Sequence, residues 1–217
     1  MAEQTKSWRI VAVRRLSEAQ LEALSEVAQV DYFEDVDESN RADFMAALAL
    51  IMATQRRLVE LANLVREGGW RAHIGAEHFG VDVHSKTLGI VGAGRIGAAI
   101  ARRGALGFGM PILYTASSSK PALEKDLGAQ KRALNELLAE ADIVCSSVPY
   151  SNETHHLIDT DALARMKPTA ALINIARGKV VDEPALIEAL HSGGIRAAGL
   201  DVFAEEPLPS SSPLAAM

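Results

Sequence analysis

Gly92-Ala93-Gly94-Arg95-Ile96-Gly97 lies between an apolar run that reads as a strand, residues 88–91, and a stretch that reads as a helix, residues 95–106. Glycines at this spacing are common, but between a strand and a helix they suit one chemistry. Gly92 permits a tight turn, Gly94 lets the backbone approach a pyrophosphate, and Gly97 lets the helix lie close on the strand. Amides at the helix start then face an anion, helped by the helix dipole. The plainer alternative is a glycine-rich turn with no ligand.

The end of the next strand selects among dinucleotides. NAD binders place Asp or Glu there, about 20 residues past the glycines. Here the stretch is Leu113-Tyr114-Thr115-Ala116-Ser117-Ser118-Ser119-Lys120, without an acid. Nothing in it repels a ribose 2′-phosphate, and Ser117, Ser118 and Lys120 can donate hydrogen bonds and charge to one. NADP is therefore expected in preference to NAD, although Lys120 alone reads equally well as a solvated lysine. The single cysteine, Cys145, sits in an apolar run and reads as a small core residue, not a nucleophile. No metal site is read from the sequence.

The elements that must hold these residues follow a regular rhythm. Strands are expected at 88–91, 112–114, 142–146, 170–175 and 195–202, and helices at 95–106, 134–139, 159–166 and 183–190. Near-continuous apolar strands alternating with helices mean a parallel sheet covered on both faces. Ahead of them, residues 8–13 and 30–33 read as strands. Between those two, Ser17 and Gln20 form a capping box before Leu21, Leu24 and Val27 at helical spacing. Residues 41–67 read as one long helix with Phe44, Leu48, Ile51, Leu58, Leu61 and Val65 near one face, ended by Gly68-Gly69. Residues 70–84 read as a linker.

Composition bounds the rest. The chain has 217 residues, 48% of them hydrophobic, and a formal net charge of −6. Taking about 150 residues per domain, this allows one domain and part of another. The acidic balance argues against a nucleic-acid or anionic-membrane binder. The longest apolar run, residues 44–53, is short of the roughly 18 residues of a membrane span. A polar N-terminus and one cysteine suit a reducing cytoplasm.

Three motifs stand in order: the glycine loop, Asn174-Ile175-Ala176-Arg177-Gly178-Lys179-Val180-Val181-Asp182-Glu183, and Asp201-Val202-Phe203-Ala204-Glu205-Glu206-Pro207. Together they resemble the D-isomer-specific 2-hydroxyacid dehydrogenases. Residues 82–89 and 152–157 are most similar to the glyoxylate/hydroxypyruvate and 2-ketogluconate reductase branch. The resemblance implies a doubly wound parallel Rossmann sheet with part of a flavodoxin-like substrate domain. It divides the chain into a partial substrate domain over 1–50, a long helix and linker over 51–84, the cofactor domain over 85–207 and a tail over 208–217. By resemblance, Arg177 holds the substrate carboxylate and keto oxygen. Glu206 keeps a catalytic histidine protonated, and Asp201 holds the nicotinamide carboxamide. Arg95 and Ile96 contact the pyrophosphate, and Val148, Pro149, Thr154, Ile175 and Ala176 line the nicotinamide and its ribose. Read without it, Arg177 is a strand-end ion pair and Glu206 a surface residue before a proline. The implied partners are a small 2-keto or 2-hydroxy acid and a second copy of the chain, docked through the long helix.

Two departures from the family temper this. The family histidine follows the Glu-Pro by some tens of residues, whereas all six histidines here precede Glu206. Near residues 46–50 the resemblance passes directly from the early substrate domain to the helix entering the cofactor domain, without the loop that binds the substrate carboxylate. A polypeptide of these 217 residues is therefore expected to bind cofactor and turn over 2-keto acids poorly. The alternatives are a nucleotide-sensing interaction protein or a remnant without function.

Overall fold

The computed structural model describes residues 9–12, 29–32, 38–71, 73 and 75–217. The chain divides into two compact units, Met1–Ala42 and Asp43–Met217. In the first, β1 (Arg9–Ala12) pairs in parallel with β2 (Gln29–Tyr32), Arg9 opposite Gln29. These match the first two expected strands. The helix expected between them lies outside the described residues.

In the second unit six strands form one parallel sheet: β3 (Leu88–Val91), β4 (Ile112–Thr115), β5 (Gln130–Lys131), β6 (Ile143–Ser146), β7 (Ala171–Asn174) and β8 (Ala197–Leu200). Their order is β5-β4-β3-β6-β7-β8, so the chain walks outward from β3, then returns to its other side. The connecting helices are α3 (Arg95–Phe108), α4 (Pro121–Leu127), α5 (Leu134–Glu140), α6 (Thr160–Arg165) and α7 (Glu183–His191). Both faces of β3 are covered, which explains its unbroken apolar run. Leu88 and Ile90 meet Gly104 and Gly97 of α3, while Gly89 meets Leu137 and Ala141 on the α5 side. Burial on both faces is what a parallel sheet demands.

Cys145 lies on β6, fully buried, and burial pushes its thiol up to about 12. It is the core residue the sequence suggested. The helix α4 and the strand β5 were not foreseen. One is short and the other is two exposed residues, so neither leaves a hydrophobic period to read.

The long helix expected over 41–67 is two helices, α1 (Glu38–Gln55) and α2 (Leu58–Arg66). Arg57 adopts a left-handed conformation, φ 54°, and breaks the run. The cause is tertiary. The Gln55 carbonyl accepts a hydrogen bond from Val81 N at 2.8 Å, and the Arg57 guanidinium binds Glu60 and the Glu77 carbonyl. Gly80 lies so near that a Cβ would sit 2.8 Å from the Gln55 oxygen. Phe44 and Ile51 of α1 are core, but Leu58 and Val65 of α2 are more than half exposed, so the expected common face does not continue. The family seam at 46–50 lies within α1, which runs through it unbroken. Among the described residues no helix is long and apolar enough to cross a membrane.

Candidate functional site

The glycine loop leaves β3 at the carboxyl edge of the sheet, where the strand order reverses between β3 and β6. Crevices at such switch points are where open parallel sheets bind ligands. Each glycine has a different physical reason. Gly92 has φ 99°, and a Cβ there would lie 2.7 Å from Val148 Cγ1. Its amide donates to the Thr115 carbonyl at 3.0 Å, and its own carbonyl accepts from Ser147 Oγ at 2.9 Å. The loop is thus tied to the ends of β4 and β6. A Cβ on Gly97 would lie 2.3 Å from the Gly92 oxygen and 2.9 Å from Ile90 Cγ2, so α3 reaches β3 only because residue 97 has no side chain.

Gly94 differs. Its backbone is extended, φ −77° and ψ −163°, a conformation open to any residue, and nothing lies within 4 Å of a Cβ built on it. Among the described residues no contact calls for a glycine there. As N-cap of α3 it also brings no side chain to cap the first-turn amides, and Ala98 N is bonded to the Gly94 carbonyl at 2.8 Å. Space at a helix start lacking a side-chain cap fits a bound diphosphate. Arg95 is exposed beside it and Ile96 half-buried.

Past β4, Ser117 and Ser118 are exposed, and Lys120 Nζ lies 3.4 Å from Ser118 Oγ. The sequence showed no acid along this strand end. The fold brings one from α4. Glu124 accepts hydrogen bonds from Ser119 Oγ at 2.7 Å and from the Tyr114 hydroxyl. Those two bonds, Tyr114 first, hold its carboxyl below the usual range.

Val148 packs on Gly92, and Pro149 follows it into an exposed turn. Thr154 closes that turn, donating to the Pro149 carbonyl at 2.8 Å and accepting from Ser151 N at 2.7 Å. Beyond it, the His155 and His156 rings stack at 4.0 Å, and His156 Nδ1 lies 3.7 Å from Asp182.

At the end of β7, Ile175 and Ala176 are buried and Arg177 emerges exposed. Asn174, a residue given no role from sequence, organises this exit. Its buried side chain accepts from Ala176 N and donates to the Arg177 carbonyl, both at 3.1 Å, and its own carbonyl accepts from Asp201 N at 3.0 Å. One residue therefore ties the Arg177 and Asp201 motifs together. Glu183 adds a second tie, its carboxylate accepting from Ala204 N. Glu206 accepts from Phe203 N at 2.9 Å within its own loop, and Arg177 Nη1 donates to the Ala176 carbonyl at 2.7 Å. Arg177 and Glu206 are not paired with each other.

A parallel sheet in this order, with a glycine turn at its switch point, defines the Rossmann-type class of domains. Within that class the chain belongs to the D-isomer specific 2-hydroxyacid dehydrogenases, whose NAD binding domain matches residues 48–217. It is 54% identical over 167 residues to glyoxylate/hydroxypyruvate reductase B of Serratia proteamaculans, covering 77% of this chain and 51% of that protein. Among solved structures, the TT0316 protein of Thermus thermophilus superposes with a TM-score of 0.77 at 42% identity, covering 90% of this chain and 60% of that one. The D-lactate dehydrogenase of Aquifex aeolicus complexed with NAD and lactic acid gives 0.72 at 29% identity, covering 91% and 64%. The chain thus spans about half the length of the curated relative it matches.

Proposed function

We propose that the chain binds a nicotinamide dinucleotide, NADP in preference to NAD, and forms the cofactor half of a reductase of small 2-keto acids of the glyoxylate, hydroxypyruvate or 2-ketogluconate type. Gly94 carries the reading. It is a glycine that nothing among the described residues requires, at an N-cap with no side chain to offer, beside open space. Gly92, Gly94 and Gly97 shape the turn that Arg95 and Ile96 complete around the pyrophosphate. Ser117, Ser118 and Lys120 hold the 2′-phosphate, and Val148, Pro149, Thr154, Ile175 and Ala176 line the nicotinamide ribose and ring.

The chemistry supplied by a bound nicotinamide is hydride transfer to a keto carbon. Around it, Asp201 orients the carboxamide. Arg177, exposed at the end of β7, grips the planar substrate carboxylate with its guanidinium fork. Glu206 stands where the family carboxylate would support a protonated imidazole, and among the described residues no histidine pairs with it. A second reading, cofactor binding with little turnover, is favoured by the lack of a histidine beside Glu206 among the described residues, its one bond being that from Phe203 N of its own loop. Titrating the purified chain with NADPH and NADH, then assaying NADPH oxidation with glyoxylate and hydroxypyruvate, separates the two. Absence of binding to either cofactor overturns both.

The chain is further proposed to act as a homodimer through the region after the α1–α2 break. Leu58, Val59, Val65, Trp70 and Phe79 there are all more than half exposed. A second copy seated there would cover them. A monomer mass in light scattering at micromolar concentration overturns it.

A further inference from the structure

Tyr114 is fully buried on β4, yet its hydroxyl is at work outside the core. It accepts a hydrogen bond from Lys120 N at 2.8 Å and donates one to Glu124 Oε1. Ser119 Oγ donates to the same oxygen at 2.7 Å. Residues 114, 119, 120 and 124 therefore close a ring, and the stretch 116–118 lies within it. The loop leaves β4 just past Tyr114 and is fastened again, six residues on, to the Tyr114 side chain. Lys120 is also the N-cap of α4, so the ring fixes where that helix begins. Packing does not explain the hydroxyl, since phenylalanine fills nearly the same volume. What the hydroxyl does is fasten the segment that carries Ser117, Ser118 and the Lys120 ammonium.

We infer that Tyr114 and Glu124 are positioning residues for cofactor selectivity, a phenol–carboxylate bracket that presents Ser117, Ser118 and Lys120 to the 2′-phosphate of the adenosine ribose. The inference rests on the NADP reading above and adds the residues that hold its ligands in place. A loop ordered before binding loses less freedom when the phosphate arrives, so the bracket contributes to NADPH affinity without touching the ligand. NADH lacks the phosphate and draws nothing from the same order. The bonds from Tyr114 and Ser119 hold the Glu124 carboxyl low, so it accepts from both as a carboxylate; its charge opposes the phosphate, and the bracket's gain is the ordering that remains after that opposition.

The test titrates the full chain and its Tyr114→Phe variant with NADPH and with NADH, following nucleotide fluorescence. Tyr114→Phe keeps the ring and removes only the hydroxyl. It is expected to weaken NADPH about five- to ten-fold, the worth of one or two hydrogen bonds, with NADH within about two-fold. Ser119→Ala, at an exposed position that cannot disturb the core, is expected to shift the NADPH:NADH ratio in the same direction and decides the matter should Tyr114→Phe not fold. A wild-type preference for NADPH that both variants retain in full overturns the bracket alone. A wild-type chain that binds both cofactors equally, or prefers NADH, overturns the NADP reading and the bracket with it. Equal weakening of both cofactors in folded variants overturns the selectivity role.

Discussion

Gly178 lies against Phe203 so closely that a Cβ on it would fall 1.9 Å from the Phe203 carbonyl carbon and oxygen and 2.3 Å from Ala204 N. This contact clamps the strap after β8, which carries Asp201 and Glu206, onto the turn that carries Arg177. The obstacle is backbone on both sides, so it cannot yield by a change of rotamer. Gly178→Ala is expected to destabilise the chain by about 3 kcal/mol, at the upper end of overpacking costs, or roughly 6–12 °C in Tm. Thermal unfolding by circular dichroism measures it. A change under about 2 °C would mean that the strap moves freely and that the two motifs are not fixed by this contact.

The Asn174 carboxamide makes a finer distinction. Asn174→Ala leaves Ala176 N and the Arg177 carbonyl without their partner, a loss of about 1–3 kcal/mol in a buried setting. Asn174→Asp keeps the acceptor for Ala176 N but turns an oxygen toward the Arg177 carbonyl and brings a charge into a buried site. NADPH affinity is expected to fall in both. The affinity for 2′-phospho-ADP-ribose, which has no nicotinamide, is expected to hold. Equal losses for the two ligands would assign Asn174 to general stability.

Much of this fold can be read from the residues, because burial leaves a pattern. The runs of β3, β6 and β7 are buried at every position, and their apolar character marks their place without any knowledge of neighbours. What escapes is what contacts distant in sequence impose. Nothing near Arg57 announces a left-handed residue; the break comes from Glu77, Gly80 and Val81, some 20 residues on. Glu124 stays hidden because its helix is short, so the acid-free strand end in the sequence becomes one with an acid in space. The glycine loop and the Arg177 motif are legible because their spacing is their chemistry. Asn174 and Glu183 sit in the same motif, but their work is bonding to backbone, which no side-chain pattern displays.

Gly94 and Gly97 provide a paired test of what each glycine is for. Gly97→Ala drives a Cβ into the Gly92 carbonyl and is expected to lower Tm by several degrees with or without ligand. Gly94→Ala enters open space from an ordinary backbone conformation, so the unliganded chain is expected to keep its stability to within about 1 kcal/mol. Its NADPH affinity is expected to drop about ten-fold or more, because the new methyl group occupies the approach to the diphosphate. Normal binding by Gly94→Ala would remove the observation on which the functional reading stands.

Asp142 sets the response to acid. It stands at the head of β6 and joins its neighbours on both sides. Its carboxylate accepts from Thr87 N and from Lys167 Nζ, each at 2.9 Å, and its carbonyl accepts from Ala171 N at 3.1 Å. Burial pushes the carboxyl up, but the Lys167 ammonium and the Thr87 amide outweigh it and hold the group below the ordinary aspartate range. A folded-state value below the unfolded one means that stability is fully present above about pH 4 and is lost as pH falls through the depressed value. Asp142→Asn is therefore expected to lower Tm at pH 7 by about 2–4 °C, the equivalent of roughly 1 kcal/mol for a part-exposed pair. The gap from the wild-type chain should narrow below about pH 4 and close once the wild-type carboxyl is protonated. Lys167→Met should show the same trend with a smaller amplitude, since the Thr87 bond survives. A gap of constant size from pH 7 to pH 3 would show that the aspartate acts through its shape and not through its charge.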